Sequence, residues 1–252
     1  MKEFPRLKVE ENFNEFVREI GGELVQNLIP KMHNLPRNAD YFFASDCVIA
    51  ELKCLEKDLF QDEKYRKKLD RMYERWVLGG LIRPLTSATD TVRLPEECSQ
   101  EMLRLARRTI EDRIRSADNQ IKETKASLDK PQAKGLLLLA NDGNYSFESS
   151  AIRYLAGQIL LARGEGSSID GFVYFTVNMQ ATIPGSEKNW TVWAPAYRTA
   201  TGNENLMEFV DRIGSQWASF YAKKLGENVK GALPIYDDVE EIFDQMKFVK
   251  RS

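Results

Sequence analysis

The chain has 252 residues, of which 42% are hydrophobic, and its formal net charge is −2. A chain of this length and composition can bury its own core, but a net charge so close to zero gives no general attraction to nucleic acid, so that partner needs a local basic patch. A single histidine and three scattered cysteines exclude most serine and cysteine triads, paired-imidazole zinc sites and Cys-x-x-Cys motifs, which leaves catalysis to carboxylates and lysine.

The same composition bears on location. The apolar runs are too short to span a bilayer, and the first residues lack the apolar core of a signal peptide. We therefore expect a cytoplasmic protein without membrane contact, and we expect its thiols to be reduced.

The N-terminal part predicts an amphipathic helix and then a loop. Apolar residues recur every three or four positions over residues 9–28, and Gly21-Gly22 is the place where this helix can kink. Its glutamates are most simply a solvated face, with Glu19 as the accessory candidate for a metal site. The loop over residues 29–37 contains His33, which we expect at the surface.

A β-hairpin is predicted next. Tyr41–Phe43 and residues 47–53 are rich in β-branched and aromatic residues, with a turn over residues 44–46. A short loop places Asp40 beside Glu51, and the two-residue period of a strand places Glu51 and Lys53 on one face. Asp46 belongs to the turn, because five strand residues separate it from Glu51 by about 16 Å.

The middle of the chain predicts two charged helices. They cover residues 55–78 and 98–128, with a loop over residues 82–95 between them, and the second is the most basic segment of the chain. Its charges are most simply a solvated face. The alternative is contact with phosphates, through Lys122, Lys125 and Lys134.

The remaining sequence predicts strands that alternate with helices. Residues 135–140 have the continuous apolar character of a central strand, and a turn that includes Asp142 follows. A helix capped by Ser146 is expected to end near Gly164. Strands over residues 170–177 and 190–197 and helices over residues 205–221 and 239–248 complete the order, with no repeat or domain boundary.

Asp40, Glu51 and Lys53 form the group best suited to chemistry. Two carboxylates at the rim of a sheet, together with the backbone carbonyl of Leu52, make a hard-oxygen site suited to Mg²⁺ or Mn²⁺. Lys53 is then placed to orient or deprotonate a water, or to stabilise charge on a phosphate oxygen, as phosphodiester hydrolysis requires. The alternative is a simple ion pair between Glu51 and Lys53 at the end of a strand.

Asp40, ten residues and then Glu51-Leu-Lys53 at the end of an apolar strand resemble the motif of the PD-(D/E)XK nuclease superfamily. The order of elements over residues 9–145 is similar to that family's core of a helix, three strands, a helix and a further strand. The chain departs from the motif at Ala39, where the family has proline. It also shows no clear first strand before Asp40.

The resemblance implies an α/β fold of the restriction-endonuclease-like class, with a central mixed sheet flanked by helices. It implies one domain over residues 1–252, with a helical insertion around residues 55–130 and additional C-terminal helices. Asp40 and Glu51 become metal ligands and Lys53 the catalytic lysine. Gln120 is a candidate for the helix glutamine that some members have, although a surface glutamine is the simpler interpretation.

From this resemblance we expect a Mg²⁺- or Mn²⁺-dependent nuclease that hydrolyses phosphodiester bonds in DNA, in bacterial defence, restriction or repair. The alternative is a catalytically inactive module of the same fold that binds or assembles within a larger complex, which the near-neutral charge and long charged helices favour. Whether the chain forms a homodimer or joins a larger complex is left open.

Overall fold

The computed structural model describes residues 6–29, 38–56, 63–85, 94–145, 149–182, 189–199, 202–226 and 247–250. Within these ranges an N-terminal helix precedes a hairpin, and helices and strands then alternate. In chain order the elements are α1 (Val9–Glu19), β1 (Glu23–Leu24), α2 (Val25–Leu28), β2 (Tyr41–Phe43), β3 (Val48–Leu55), α3 (Glu63–Leu78), α4 (Glu96–Ser127), β4 (Lys134–Asn141), α5 (Ser149–Arg163), β5 (Gly171–Thr176), β6 (Met179–Thr182), β7 (Asn189–Trp190), β8 (Trp193–Tyr197), α6 (Glu204–Lys224) and β9 (Lys247–Lys250).

The main sheet is mixed and has six strands in the order β1-β2-β3-β4-β5-β8. Strands β1, β2 and β3 are antiparallel neighbours, β3, β4 and β5 are parallel, and β8 runs antiparallel to β5. A smaller antiparallel sheet has the order β7-β6-β9. The predicted α/β class with a mixed sheet and flanking helices is confirmed at this level.

Helices cover both faces of the main sheet. One hydrophobic cluster joins α4 and α5 to residues such as Ile49 and Leu137, and the other joins α1 and α6 to residues such as Ala50 and Leu138. Strand β4 therefore lies between two layers of helix, which explains why its sequence is continuously apolar. The predictions of a central strand over residues 135–140 and of a long helix over residues 98–128 are confirmed.

The predicted helix over residues 9–28 is confirmed for α1 and for the four residues of α2, but it is wrong for the segment between them. Helix α1 ends at Glu19, and Gly21 then adopts a φ of +81°, which favours glycine. Gly22 is needed for close approach, because a Cβ there would lie 2.6 Å from the ring of Phe43. The next residues form β1, in which Glu23 pairs with Phe42, so the strand that the sequence failed to show precedes Asp40.

Further boundaries also differ from the sequence predictions. Leu55 still belongs to β3, the described part of α3 covers Glu63–Leu78, and residues 57–62 lie outside the described residues. The strand predicted over residues 190–197 is divided between two sheets, in β7 and β8. The final helix is wrong for residues 247–248, which pair with β6 in β9, because pairing with a distant strand overrides a local helical pattern.

Several sequence predictions fall outside the described residues. These include His33 with most of its loop, the cap at Ser146 and most of the predicted final helix. Across the described ranges, no helix is both long enough and apolar enough to cross a bilayer. The organisation of the chain as one domain stays a prediction.

Candidate active site

The hairpin register brings Asp40 and Glu51 together. Tyr41 pairs with Ala50, so the next pair outward is Asp40 with Glu51, as the sequence predicted. The ladder then stops, because the N–H of Ala39 donates to Oγ1 of Thr124 at 2.7 Å. The N–H of Leu52, which would have continued the ladder, donates instead to Oδ2 of Asp40 at 2.8 Å.

Glu51 is a buried carboxyl group with one open position. Glu51 is 1% exposed, and its Oε1 accepts a hydrogen bond from Nζ of Lys53 at 2.5 Å. Its other oxygen, Oε2, is buried and meets no donor among the described residues. Asp40 is in hydrogen-bonding reach of Glu51, but two carboxyl groups bond only when one of them keeps a proton.

Burial, together with the repulsion between the two carboxylates, favours a state in which the pair keeps that proton. Burial, followed by the charge of Asp40, raises the pKa of Glu51 to about 8 and outweighs the opposing effect of Lys53. Burial also raises the pKa of Asp40, although the N–H of Leu52 opposes that shift. The pair therefore retains one proton at neutral pH in the absence of a bound cation.

Gln120 of α4 holds the lysine over this pair. Its Oε1 accepts hydrogen bonds from Nζ of Lys53 at 2.7 Å and from Oγ of Ser116 at 2.9 Å. Its Nε2 donates to the carbonyl oxygen of Asn38 at 2.9 Å, which fixes the orientation of the amide. Gln120 is buried, so the interpretation as a surface glutamine is wrong, and the residue lies where an accessory glutamine was expected.

The carbonyl of Leu52 faces the same edge as the carboxylates. In a strand, the N–H and C=O of one residue point to the same side. Since the N–H of Leu52 points to Asp40, its carbonyl also points past the end of β2. This is the orientation that the predicted ligand role requires.

Another candidate, Glu19, is not brought to the pair. It is exposed at the end of α1. Burial is the main cause of the raised pKa of Asp40, and the charge of Glu10, in the first turn of the same helix, adds to it. Nine helical residues place Glu19 about 13.5 Å further along the axis. Sequence reasoning missed Glu10 because the packing of α1 across the sheet has no local signal.

The predicted basic residues do not converge on the carboxylates. Lys125 lies 3.7 Å from Asp170 and donates to the carbonyl of Ser168 at 3.2 Å, so this lysine has internal partners, and its contact with phosphate stays a prediction. Burial lowers the pKa of Lys125. Lys134 is opposite Val48, at the far end of β3 from the pair, and Lys122 is exposed.

Comparisons with protein-family models, curated proteins and solved structures find no match to this chain.

The donor set fits a hard cation with few protein ligands. Among the described residues, no three His, Cys, Asp or Glu side chains are grouped so that they could hold a metal ion. The available oxygen ligands are the carboxylates of Asp40 and Glu51 and the carbonyl of Leu52. Mg²⁺ commonly keeps several waters and takes one or two carboxylates, so this set and the open Oε2 of Glu51 are suited to it.

Proposed function

We propose that this chain is a metal-dependent nuclease of the PD-(D/E)XK type, with a restriction-endonuclease-like core, which hydrolyses phosphodiester bonds in DNA in defence, restriction or repair. One observation carries the proposal. Glu51 is buried beside Asp40, its Oε2 meets no donor among the described residues, and its Oε1 bonds a lysine that a buried glutamine holds in place.

A buried carboxyl pair of this kind is costly for a protein that does not use it. Burial raises both pKa values, and the charge of Asp40 adds to the shift of Glu51; strongly perturbed groups of this type concentrate at functional sites. A divalent cation between Asp40 and Glu51 would replace the proton and remove the repulsion. The carboxylates and the carbonyl of Leu52 would hold the cation, which supplies charge neutralisation at the phosphate and a water of lowered pKa.

Lys53 has one donor left for the substrate. Its ammonium has three N–H groups, of which one donates to Glu51 and one to Gln120. Its side chain is 19% exposed, so the third N–H has a path to solvent. That N–H would orient the attacking water or stabilise charge on a phosphate oxygen.

The order of elements supports the same proposal. Helix α1 precedes the antiparallel strands β1, β2 and β3, and α4 leads to the parallel strand β4. The acid lies at the start of β2, and Glu51-Leu-Lys53 lies on β3. Strand β1 precedes Asp40, at the place where the sequence pattern indicated no strand.

A cleavage assay tests the proposal. The purified protein is incubated with plasmid DNA, single-stranded DNA and RNA in Mg²⁺ or Mn²⁺, beside the Lys53→Ala and Lys223→Ala variants. Lys223 is an exposed lysine on α6, which packs on the other face of the sheet from α4, so its variant is the matched control. We expect DNA cleavage by the wild type and by Lys223→Ala, and at least a hundredfold loss in Lys53→Ala. Cleavage that persists in Lys53→Ala, or the absence of any metal-dependent cleavage, overturns the proposal.

A specific observation favours the second candidate, an inactive module that binds or assembles. Each side chain of this group already has an internal partner, since Asp40 accepts the N–H of Leu52 and Lys53 pairs with Glu51. In that case Asp40, Glu51 and Lys53 have only a structural role, at the point where the pairing of β2 with β3 stops. Calorimetric titration with Mn²⁺ separates the two candidates, because only a metal site binds the ion and loses it in Glu51→Gln.

A further inference from the structure

Arg113 lies on the face of α4 that looks onto the candidate active site. Its Nε donates to the carbonyl oxygen of Cys54 at 3.2 Å. Arg113 precedes Gln120 by seven residues, which is two helical turns, so both side chains project from one face of the helix. The sequence did not distinguish this arginine from the other basic residues of α4.

Most of the guanidinium of Arg113 is free within the described part of the chain. An arginine has five N–H donors, and the bond to Cys54 uses only the one on Nε. Its two amino groups therefore remain for a ligand. Two other half-buried arginines, Arg163 and Arg198, each pair with a carboxylate. Arg113 has no such partner among the described ion pairs.

The position of Arg113 follows from the direction of the strand carbonyls. Carbonyls two residues apart in a strand point to the same side, so those of Leu52 and Cys54 both face the edge that β2 leaves open. They are separated by about 6.6 Å along β3. Arg113 is thus anchored on the same edge as the carboxylate pair, two residues further along β3 than Leu52.

We propose that Arg113 binds a phosphate of the nucleic-acid backbone adjacent to the one that is cleaved. This inference rests on the proposed function. The bond through Nε fixes the plane of the guanidinium, and the two amino groups then present the paired donors that match phosphate oxygens. The contact orients the strand without reading its sequence, since phosphate contacts carry no base information.

Salt dependence of binding tests this role directly. Labelled duplex and single-stranded oligonucleotides are titrated with the wild type, Arg113→Gln and Arg115→Gln in EDTA over a range of NaCl concentrations. Arg115 is an exposed arginine two residues away on α4, about 200° around the helix, and it pairs with Asp112. It is therefore a control of identical charge on the opposite face.

We expect the slope of log K against log salt to fall by about 0.9 on duplex, or about 0.7 on single strands, in Arg113→Gln. Arg115→Gln should keep the wild-type slope. Arg113→Lys should restore the slope but bind more weakly, because lysine lacks the paired donors. A purely structural arginine would lower the urea midpoint of Arg113→Gln and leave the slope unchanged, which overturns the inference.

The cleavage assay keeps this inference separate from the proposed function. Wild-type cleavage together with an unchanged slope in Arg113→Gln overturns the phosphate site and leaves the nuclease proposal intact. Binding that depends on Arg113 without any cleavage supports the phosphate site and overturns nuclease activity. Absence of both binding and cleavage in the wild type overturns both.

Discussion

Nζ of Lys53 lies 2.7 Å from Oε1 of Gln120, although 67 residues separate the two in the chain. The contact joins β3 to α4, the long helix that packs on this face of the sheet. Gln120 also bonds the backbone at Asn38, just before the acid of the pair. One amide therefore fixes the lysine and the segment that contains Asp40 relative to each other.

We expect Gln120→Ala to lower kcat by about tenfold to a hundredfold and to leave KM within about threefold, because Lys53 loses the bond that holds it over the carboxylates. The carbonyl of Asn38 also loses its partner, which costs about 1–3 kcal/mol of stability. Steady-state cleavage kinetics and urea unfolding measure the two effects. Asn119→Ala, at the exposed neighbouring position, is the control and should change neither.

The two roles of Asp40 can be separated by substitution. In Asp40→Asn the side-chain carbonyl can still accept the N–H of Leu52, so we expect a stability close to that of the wild type but no Mn²⁺ binding. In Asp40→Ala that buried N–H loses its partner, and we expect a further loss of about 1–3 kcal/mol. Urea unfolding and calorimetry with Mn²⁺ report these effects. Mn²⁺ binding by Asp40→Asn equal to that of the wild type would exclude Asp40 as a ligand.

Glu51→Gln should stabilise the metal-free protein, and the gain should grow with pH. The pKa of Glu51 rises from an ordinary value of 4.5 to about 8 in the folded state. Between those values the folded state binds more protons than the unfolded one, so wild-type stability falls as pH increases, and it levels off above about 8. Glutamine carries no titrating proton and avoids this loss. Since one pKa unit corresponds to about 1.4 kcal/mol, we expect a gain of at least about 1 kcal/mol at pH 8.

Urea unfolding in EDTA at intervals from pH 5 to pH 8 measures this effect. Glu15→Gln, at an exposed position on α1, serves as the control. A stability difference between Glu51→Gln and the wild type that stays constant over this range would contradict the assigned proton.

Two glycines should respond in opposite ways to alanine. A Cβ on Gly135 would lie 1.9 Å from the carbonyl oxygen of Ser168, so β4 or its neighbour must move, and we expect Gly135→Ala to lose several kcal/mol. Gly157 lies within α5, and a Cβ there meets nothing within 4 Å. We expect Gly157→Ala to gain about 0.5–1 kcal/mol, because alanine loses less conformational freedom in a helix. Thermal unfolding of the two variants gives both signs in one experiment.

The part of the site predicted from the sequence is the part that local geometry determines. A short turn fixes the register of a hairpin, so the pairing of Asp40 with Glu51 followed from counting residues. The face shared by Glu51 and Lys53 followed from the period of the strand. The burial of Gln120 and the approach of Glu10 depend on where two helices pack, and spacing along the chain does not encode that.

The errors in the fold have a similar cause. Strand β1 has two residues and lies within a helical apolar pattern, so neither length nor alternation could indicate it. Residues 247–248 become strand only because β6 is available to pair with them. Lys125 looked unpaired in the sequence because its partner Asp170 follows in the chain only after β4 and α5.

The open edge of β3 has a further consequence. After its last pair with β2 at Ala50, the strand continues through residues 51–55 without a neighbour on that side among the described residues. Such an edge can recruit a strand from another molecule. Asp40 occupies the N–H of Leu52, and Arg113 occupies the carbonyl of Cys54. The side chains proposed to hold a cation and a phosphate thus also occupy two of the backbone groups through which another strand would pair, so a change at either position would free part of that edge.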